Sequence, residues 1–149
     1  MSPRVRRLAE GGIRRFSQLN VWLYRKSGGK LGAHFPGGAK VCLLTTTGRK
    51  SGQPRTVPVL FLRDGDNLVV VASKGGHPSH PLWYLNLVAD PRVRVEVEGE
   101  TRRAHARDAT ESERERLWPK LVRYYEGFAD YQAVTDRIIP VVILEPENA

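Results

Sequence analysis

Val93, Val95 and Val97 alternate with Arg94, Glu96 and Glu98, and Gly99-Glu100 then turns the chain into a second run, Thr101–Arg107. A period of two sends the valines to one face and the charges to the other, which a helical repeat cannot do. This is a strand with one dry and one wet face, so the chain must build a sheet that packs on one side. Further strand runs occur at Lys40–Thr46, Arg55–Arg63 and Leu68–Ala72, with Asp64-Gly65-Asp66-Asn67 as the hairpin turn between the last two. Arg137–Leu144 reads as a final, strongly apolar strand. About six short strands, mostly antiparallel and meandering, predict a small barrel or curled sheet with helices over its openings, an α+β fold that is mainly β.

The interruptions are equally legible. SKGGHPSHP breaks the sheet, Pro81 suits the first turn of a helix over Leu82–Val88, and Asp90-Pro91 stops it. Thr110 and Glu113 have capping-box spacing and start a charged helix that runs to about Tyr125. Near the N-terminus, Val5, Leu8, Ile13, Phe16, Leu19, Val21, Trp22 and Leu23 recur at roughly helical spacing, broken at Gly11-Gly12, and a glycine-rich loop follows. The expected organisation is a basic amphipathic arm over residues 1–30 and a β-barrel domain over 31–149.

Charge is needed to decide what class of partner to consider. The 149-residue chain carries 24 basic and 16 acidic side chains, a net +8. Eight of those bases and one acid fall in residues 1–30, a net +7, which leaves 16 bases against 15 acids, +1, for everything else. A nearly neutral body argues against nucleic acid as the partner. The single cysteine, Cys42, sits in an apolar run and excludes an internal disulfide. No stretch has the length of a membrane span or the apolar core of a signal peptide, and the expected location is cytoplasmic.

Against that neutral background, LLTTTGRKSGQPR concentrates Arg49, Lys50 and Arg55 with Thr45, Thr46, Thr47 and Ser51 in one connection. Backbone N–H groups in a turn, arginine forks and hydroxyls together bind anions. A solvated basic hairpin and an anion socket both fit this composition. It is not a Walker loop, because Leu44 stands where that motif needs its first glycine and Arg49 precedes Lys50. His77 and His80 make an H-x-x-H, but His34, His105 and Cys42 are too scattered to complete a zinc set, so no metal is expected. Aliphatic neighbours would leave Cys42 a poor nucleophile, and no Ser-His-acid order is legible. Tyr125, Phe128 and Tyr131, at i, i+3 and i+6, suggest one wall of an aromatic pocket, with Trp83, Tyr84 and Asn86 as the other.

Five blocks, LLTTTGRKSGQPR, ASKGGHPSHPLWYLNL, ADPRVRVEVEGE, ARDATESERERLWP and DYQAVTDRIIPVVILEP, resemble in order those of the deazaflavin (F420)-dependent nitroreductase family, with its quinone and nitroimidazole reductases. The resemblance covers about residues 20 to 146 and implies a split β-barrel of the FMN-binding type. It also implies coenzyme F420, an 8-hydroxy-5-deazaflavin, as hydride donor to a quinone, nitroaromatic or other conjugated electrophile. The family's contacts to the coenzyme's phosphate and polyglutamate tail fall on Arg49, Lys50 and Ser51, and its groove continues along Arg55, Thr56, Val57 and Pro58. The deazaflavin ring would lie against Val71, Ala72, Ser73 and Lys74 and against Leu82, Trp83, Tyr84, Leu85 and Asn86. The substrate-side tyrosines match Tyr125 and Tyr131, while a third matches Phe128, which keeps the aromatic wall and lacks the hydroxyl. Ser73 and Tyr125 are expected to hydrogen-bond the acceptor's oxygens, with help from Tyr131. A non-catalytic deazaflavin carrier and an FMN enzyme on the same barrel are the alternative functions. The arm, with its arginines, Phe16, Trp22 and Leu23, is expected either to lie on an anionic membrane, at the inner face of the cell membrane, or to pack on the barrel.

Overall fold

Strands β1 (Lys40–Thr47), β2 (Pro54–Asp64), β3 (Asn67–Val71), β4 (Arg92–Val97), β5 (Glu100–Asp108) and β6 (Val141–Pro146) close into one barrel in the computed structural model. The structure describes Arg25 and residues 40–147; the arm, the glycine-rich loop and the domain boundary drawn at residue 30 lie outside the described residues. Around the barrel the order is β1-β2-β3-β6-β5-β4, and every neighbouring pair is antiparallel. The meander expected from the sequence is therefore interrupted: β6 inserts between β3 and β5, and β4 pairs back onto β1. Local hairpins form β1–β2, β2–β3 and β4–β5, whereas the closing pairs join runs far apart in sequence, which periodicity cannot register.

Alternation sorts the side chains as the pleat requires. Cys42 and Leu44 of β1, Phe61 of β2, Val70 of β3, Val95 and Val97 of β4, Ala104 and Ala106 of β5, and Val142 and Leu144 of β6 fill the interior. Burial pushes the Cys42 thiol up to about 12, so it is an inert core group. β3 and β6 are buried on both faces, because Val69, Val71, Val141 and Ile143 point outward under Leu117 and Leu121 of α2 (Glu111–Tyr124) and Phe128 of α3 (Gly127–Ala133). That explains their continuous apolar runs, while Arg92, Arg94, Arg103 and His105 keep the outer faces of β4 and β5 wet.

The helices differ from the expectation in their placement. Among the described residues only α1 (Leu82–Ala89) joins the barrel interior, through Leu87 with Trp83 and Tyr84; α2 and α3 cover the outer wall. The capping box at α2 is present, with Glu113 N–H donating to Thr110 Oγ1 (3.2 Å) and Thr110 N–H to Glu113 Oε1 (2.9 Å). Arg107 forks onto the same Glu113 carboxylate at 2.7 and 3.0 Å and holds it down at about 2. The last strand begins at Val141 and not at Arg137, because Pro140 has no ladder N–H and residues 137–139 are occupied elsewhere.

One feature of the barrel positions everything that follows. Pairing of β2 with β3 starts only at Phe61, so residues 54–60 have β1 on one side and, among the described residues, no strand on the other. The two-residue turn Gly65-Asp66 makes Asp64 and Asn67 a hydrogen-bonded pair, so alternation sends the backbone groups of residues 54, 56, 58 and 60 toward the open edge. Pro54 and Pro58 fall at two of those positions, where a missing N–H costs no ladder bond. The barrel is split here, along about 17 Å of strand from Arg55 to Leu60.

Candidate functional site

The open edge of β2 begins at the basic turn. Gly48 N–H donates to Gln53 O and Gly52 N–H to Gly48 O, both at 2.8 Å, which closes the turn on itself. A side chain at Gly48 would put its Cβ 2.5 Å from Ser51 Oγ and 3.2 Å from Gln53 O, so it would displace the Ser51 hydroxyl and press on the turn. The turn is tied to α1 by one residue. Asn86, 7% exposed, accepts from Arg49 N–H through Oδ1 (3.1 Å) and donates from Nδ2 to Thr46 Oγ1 (3.1 Å). Thr45 and Thr56 hydroxyls meet across the β1–β2 ladder at 2.7 Å. Both ends of the Asn86 amide are thus spent on fixing the turn.

The cations of the turn are held differently. Arg49, Lys50 and Arg55 are exposed, and among the described residues none of them meets a carboxylate; Arg55 only reaches Ser51 Oγ at 3.4 Å. Several arginines elsewhere are paired with carboxylates, as in Arg116–Asp64 (2.9 Å), Arg63–Glu98 (3.2 Å) and Arg92–Asp90 (3.1 Å). Three exposed cations on one closed turn, with no carboxylate partner among the described residues, are the donors that an anion takes.

At the other end of the edge, β3 stops at Val71, level with Leu60, and the chain leaves the sheet with Ala72 N–H donating to Pro140 O at 3.0 Å. Ser73 follows, then a 3-10 turn over Lys74–Gly76 in which Lys74 (φ 45°), Gly75 (60°) and Gly76 (78°) are all left-handed. Only the glycines take this conformation freely, so Lys74 is strained. Lys74 Nζ donates to Ser79 Oγ at 3.4 Å, and Ser79 in turn meets His77 Nδ1 at 2.8 Å. Leu82 on α1 is 62% exposed, and Trp83, Tyr84 and Leu85 are half-buried. The Tyr84 hydroxyl donates to Asp108 at 3.0 and 3.1 Å, and burial with that carboxylate pushes it up to about 12. His80 packs on the Tyr84 ring at 4.8 Å, and its own ionisation is pushed down by burial and by the charge of Arg137.

The tyrosines form the third part. Tyr125 and Tyr131 hydroxyls lie 2.9 Å apart, and this bond, with burial, pushes Tyr131 up to about 12. Phe128 meets Tyr125 edge-on at 4.9 Å, but it is only 4% exposed and packs into the outer core with Val71. Gly76 joins this part to the Ser73 loop: a Cβ there would lie 2.7 Å from Tyr131 O and 2.5 Å from Val134 Cγ2. The structure thus ties the turn to α1 through Asn86 and the Ser73 loop to α3 through Gly76, with the edge residues Thr56, Val57 and Pro58 between the turn and the loop.

Sequence reasoning missed Arg137. Its Nε donates to His77 O (2.8 Å), Nη1 to Ala72 O (3.1 Å) and Nη2 to Ser73 O (2.6 Å). An isolated arginine between a turn and an apolar strand carries no pattern that says it turns inward. The one available signal was the Gly75-Gly76 pair, which breaks the sheet and leaves the carbonyls flanking it without ladder partners. Among the described residues no group of His, Cys, Asp and Glu is arranged to hold a metal, and no helix is long and apolar enough to cross a membrane.

Comparison with known proteins adds a specific match. Residues 16–146 match the family described as F420H(2)-dependent quinone reductase. The F420H(2)-dependent quinone reductase Rv1261c of Mycobacterium tuberculosis is 40% identical over 131 residues, covering 85% of this chain and 87% of that protein. A solved structure titled as an F420-H2 dependent reductase (FDR-A) is 43% identical, covers 70% of this chain and 93% of its own, and superposes with a TM-score of 0.66. Another, described as a domain-swapped dimer, is 36% identical over 92% of this chain and 99% of its own, with a TM-score of 0.69.

Proposed function

The chain belongs to the F420H(2)-dependent quinone reductase family, and from that premise we propose how its residues divide the work of reducing a quinone-type acceptor with reduced coenzyme F420. The observation that carries the reading is the cluster of Arg49, Lys50 and Arg55, exposed and without a carboxylate partner among the described residues, at the start of a β2 edge that no other described strand covers and that leads to Ser73. The coenzyme's tail is an anion with a phosphodiester and carboxylates, and exposed guanidinium, ammonium and hydroxyl groups are the donors such a tail takes. When bound, the deazaflavin supplies two electrons as a hydride.

The chain's own residues bind and orient. Arg49, Lys50, Ser51 and Arg55 hold the tail, and Thr56, Val57 and Pro58 line the edge. Val71, Ala72, Ser73 and Lys74 and the α1 residues Leu82–Leu85 flank the ring, with Asn86 behind them fixing the turn. Ser73 and the Tyr125–Tyr131 pair face the acceptor and donate hydrogen bonds to oxygens that become negative on reduction. One hydroxyl of the pair donates to the other at 2.9 Å, which leaves a single tyrosine proton for the acceptor. Phe128, buried against the barrel, supports the tyrosine wall from behind.

Nitroaromatic acceptors belong to the same proposal with slower turnover, because Phe128 brings no hydroxyl. The net +7 of residues 1–30 suits peripheral contact with anionic lipid on the cytoplasmic side, where a membrane-borne quinone is reached. Fluorescence titration with oxidised coenzyme, followed by a steady-state screen of menaquinone, a short-tailed quinone, a nitroaromatic and an enone, tests the reading. Micromolar binding and quinone turnover are expected. Absence of binding, or binding without oxidation of the reduced coenzyme by any acceptor, would overturn it.

A further inference from the structure

The loop that carries Ser73 is built against the backbone's own preferences. Three successive left-handed residues, Lys74, Gly75 and Gly76, follow Ser73, and a run of this kind persists only where its surroundings over-determine it. Two bonds inside the loop, Gly76 N–H to Ser73 O (2.9 Å) and His77 N–H to Lys74 O (3.1 Å), give a single turn of 3-10 helix. Such a turn is marginal alone. Arg137 brackets it from outside, on Ala72 O and Ser73 O before the left-handed run and on His77 O after it. Lysine could not do this, because it lacks the planar fork that reaches several acceptors at fixed angles.

Arg137 is itself gripped from the opposite side. Gln132, on α3 one residue after Tyr131, donates from Nε2 to Arg137 O (2.8 Å) and accepts Ile139 N–H through Oε1 (2.9 Å). The side chain of Arg137 therefore holds the Ser73 loop while its backbone is held by the helix that carries Tyr131. The remaining Nη1 contact, 3.3 Å to His80 Nδ1, extends the brace toward α1.

We infer that Arg137, with Gln132, is a positioning strut that fixes Ser73 relative to the Tyr125–Tyr131 pair, and so sets the geometry of hydride transfer without touching coenzyme or acceptor. This rests on the site roles proposed above. Rates of transfer between bound partners fall steeply with misplacement, by about 100-fold for 1 Å, whereas tail binding in the β1–β2 turn does not pass through this strut. Its loss consequently separates kcat from coenzyme affinity.

The test uses the full chain with Arg137→Lys, Arg137→Ala and Gln132→Ala. Hydrogen exchange of the 73–77 amides is read without coenzyme, and kcat, KM for acceptor and coenzyme Kd are read with it. Expected are faster exchange confined to the 72–77 and 132–139 segments and a kcat lower by about 10- to 100-fold in both Arg137 variants, with coenzyme Kd within about threefold. Gln132→Ala gives a smaller loss of the same kind, and methylguanidinium restores part of the Arg137→Ala rate. If Arg137→Ala does not fold, Arg137→Lys carries the test, since it keeps the stem and the charge. Unchanged exchange, or a coenzyme Kd that rises as much as kcat falls, would overturn the strut. Wild-type protein that binds no coenzyme would overturn the proposed function, and the exchange measurement would still decide the brace.

Discussion

In the β1–β2 turn a neutral amide holds the backbone and the cations face outward, whereas in the 72–77 loop a cation holds the backbone. Asn86 satisfies Arg49 N–H and Thr46 Oγ1 at 3.1 Å each, which leaves the Arg49, Lys50 and Arg55 side chains exposed. Arg137 spends its guanidinium on Ala72, Ser73 and His77 carbonyls, the nearest at 2.6 Å, and presents no free charge to a ligand. The two arrangements separate what arginine does for a ligand from what it does for the fold. A guanidinium spent on main-chain oxygens braces the fold, and one left exposed on a fixed turn keeps its donors for a ligand.

The sharpest way to break the loop half of the comparison is Gly76→Ala. The substitution meets Val134 Cγ2 at 2.5 Å and Tyr131 O at 2.7 Å on a backbone with φ of 78°. Strain plus overpacking predicts a loss of about 2–4 kcal/mol of stability, read by urea unfolding, together with loss of turnover. A variant as stable as wild type would show that the loop is not pinned between Arg137 and α3.

The turn half predicts the reverse split. Replacing Lys50 and Arg55 together by alanine removes two exposed charges that no carboxylate among the described residues neutralises, so stability should stay within about 0.5 kcal/mol. Coenzyme affinity should fall by about 10- to 100-fold, roughly 1.4–2.8 kcal/mol, and the remaining binding should lose most of its salt dependence. Retained affinity would return the turn to a solvated hairpin. Asn86→Ala lies between the two. It leaves the buried Thr46 Oγ1 and the half-buried Arg49 N–H without their partner, which costs about 1–2 kcal/mol of stability. Affinity should fall less than in the double variant, because the cations remain although the turn is looser.

These differences also mark how far the sequence could be read. Strand alternation in β4, the Asp64–Asn67 hairpin and the Thr110–Glu113 box are local signals, and each is found at its expected place. The insertion of β6 between β3 and β5 is not local, and nothing in a period of two selects one distant partner over another. α3 was not drawn as a separate element because Gly127–Ala133 is short, although the i, i+3, i+6 spacing of Tyr125, Phe128 and Tyr131 fits one helix face. At the site, the basic turn was legible as a concentration of cations on a neutral body. Arg137 was not, because its role depends on carbonyls some 60 residues earlier in the chain, which only the closed barrel brings to it.

The smallest expected effect concerns the tyrosines, and it asks whether the acceptor side behaves as a neutral donor wall beside the cationic turn. Tyr131, pushed up to about 12 chiefly by its bond to Tyr125, and Tyr84, pushed up to about 12 by burial and then by Asp108, both bind their protons more tightly folded than unfolded. Their contribution to stability is therefore complete below the unfolded value of about 10 and is lost as pH rises from about 10 toward 12. Thermal midpoints should be unaffected by these groups up to pH of about 10 and decline above it, and ultraviolet titration should show two tyrosines ionising late. Tyr125→Phe removes the hydroxyl at 2.9 Å and should bring Tyr131, but not Tyr84, back toward the ordinary range. If Tyr131 instead titrates near neutral pH in the intact protein, it is a proton acceptor in the working range. The acceptor side would then be an anionic counterpart to the turn, not the neutral donor wall that hydride transfer to a quinone oxygen calls for.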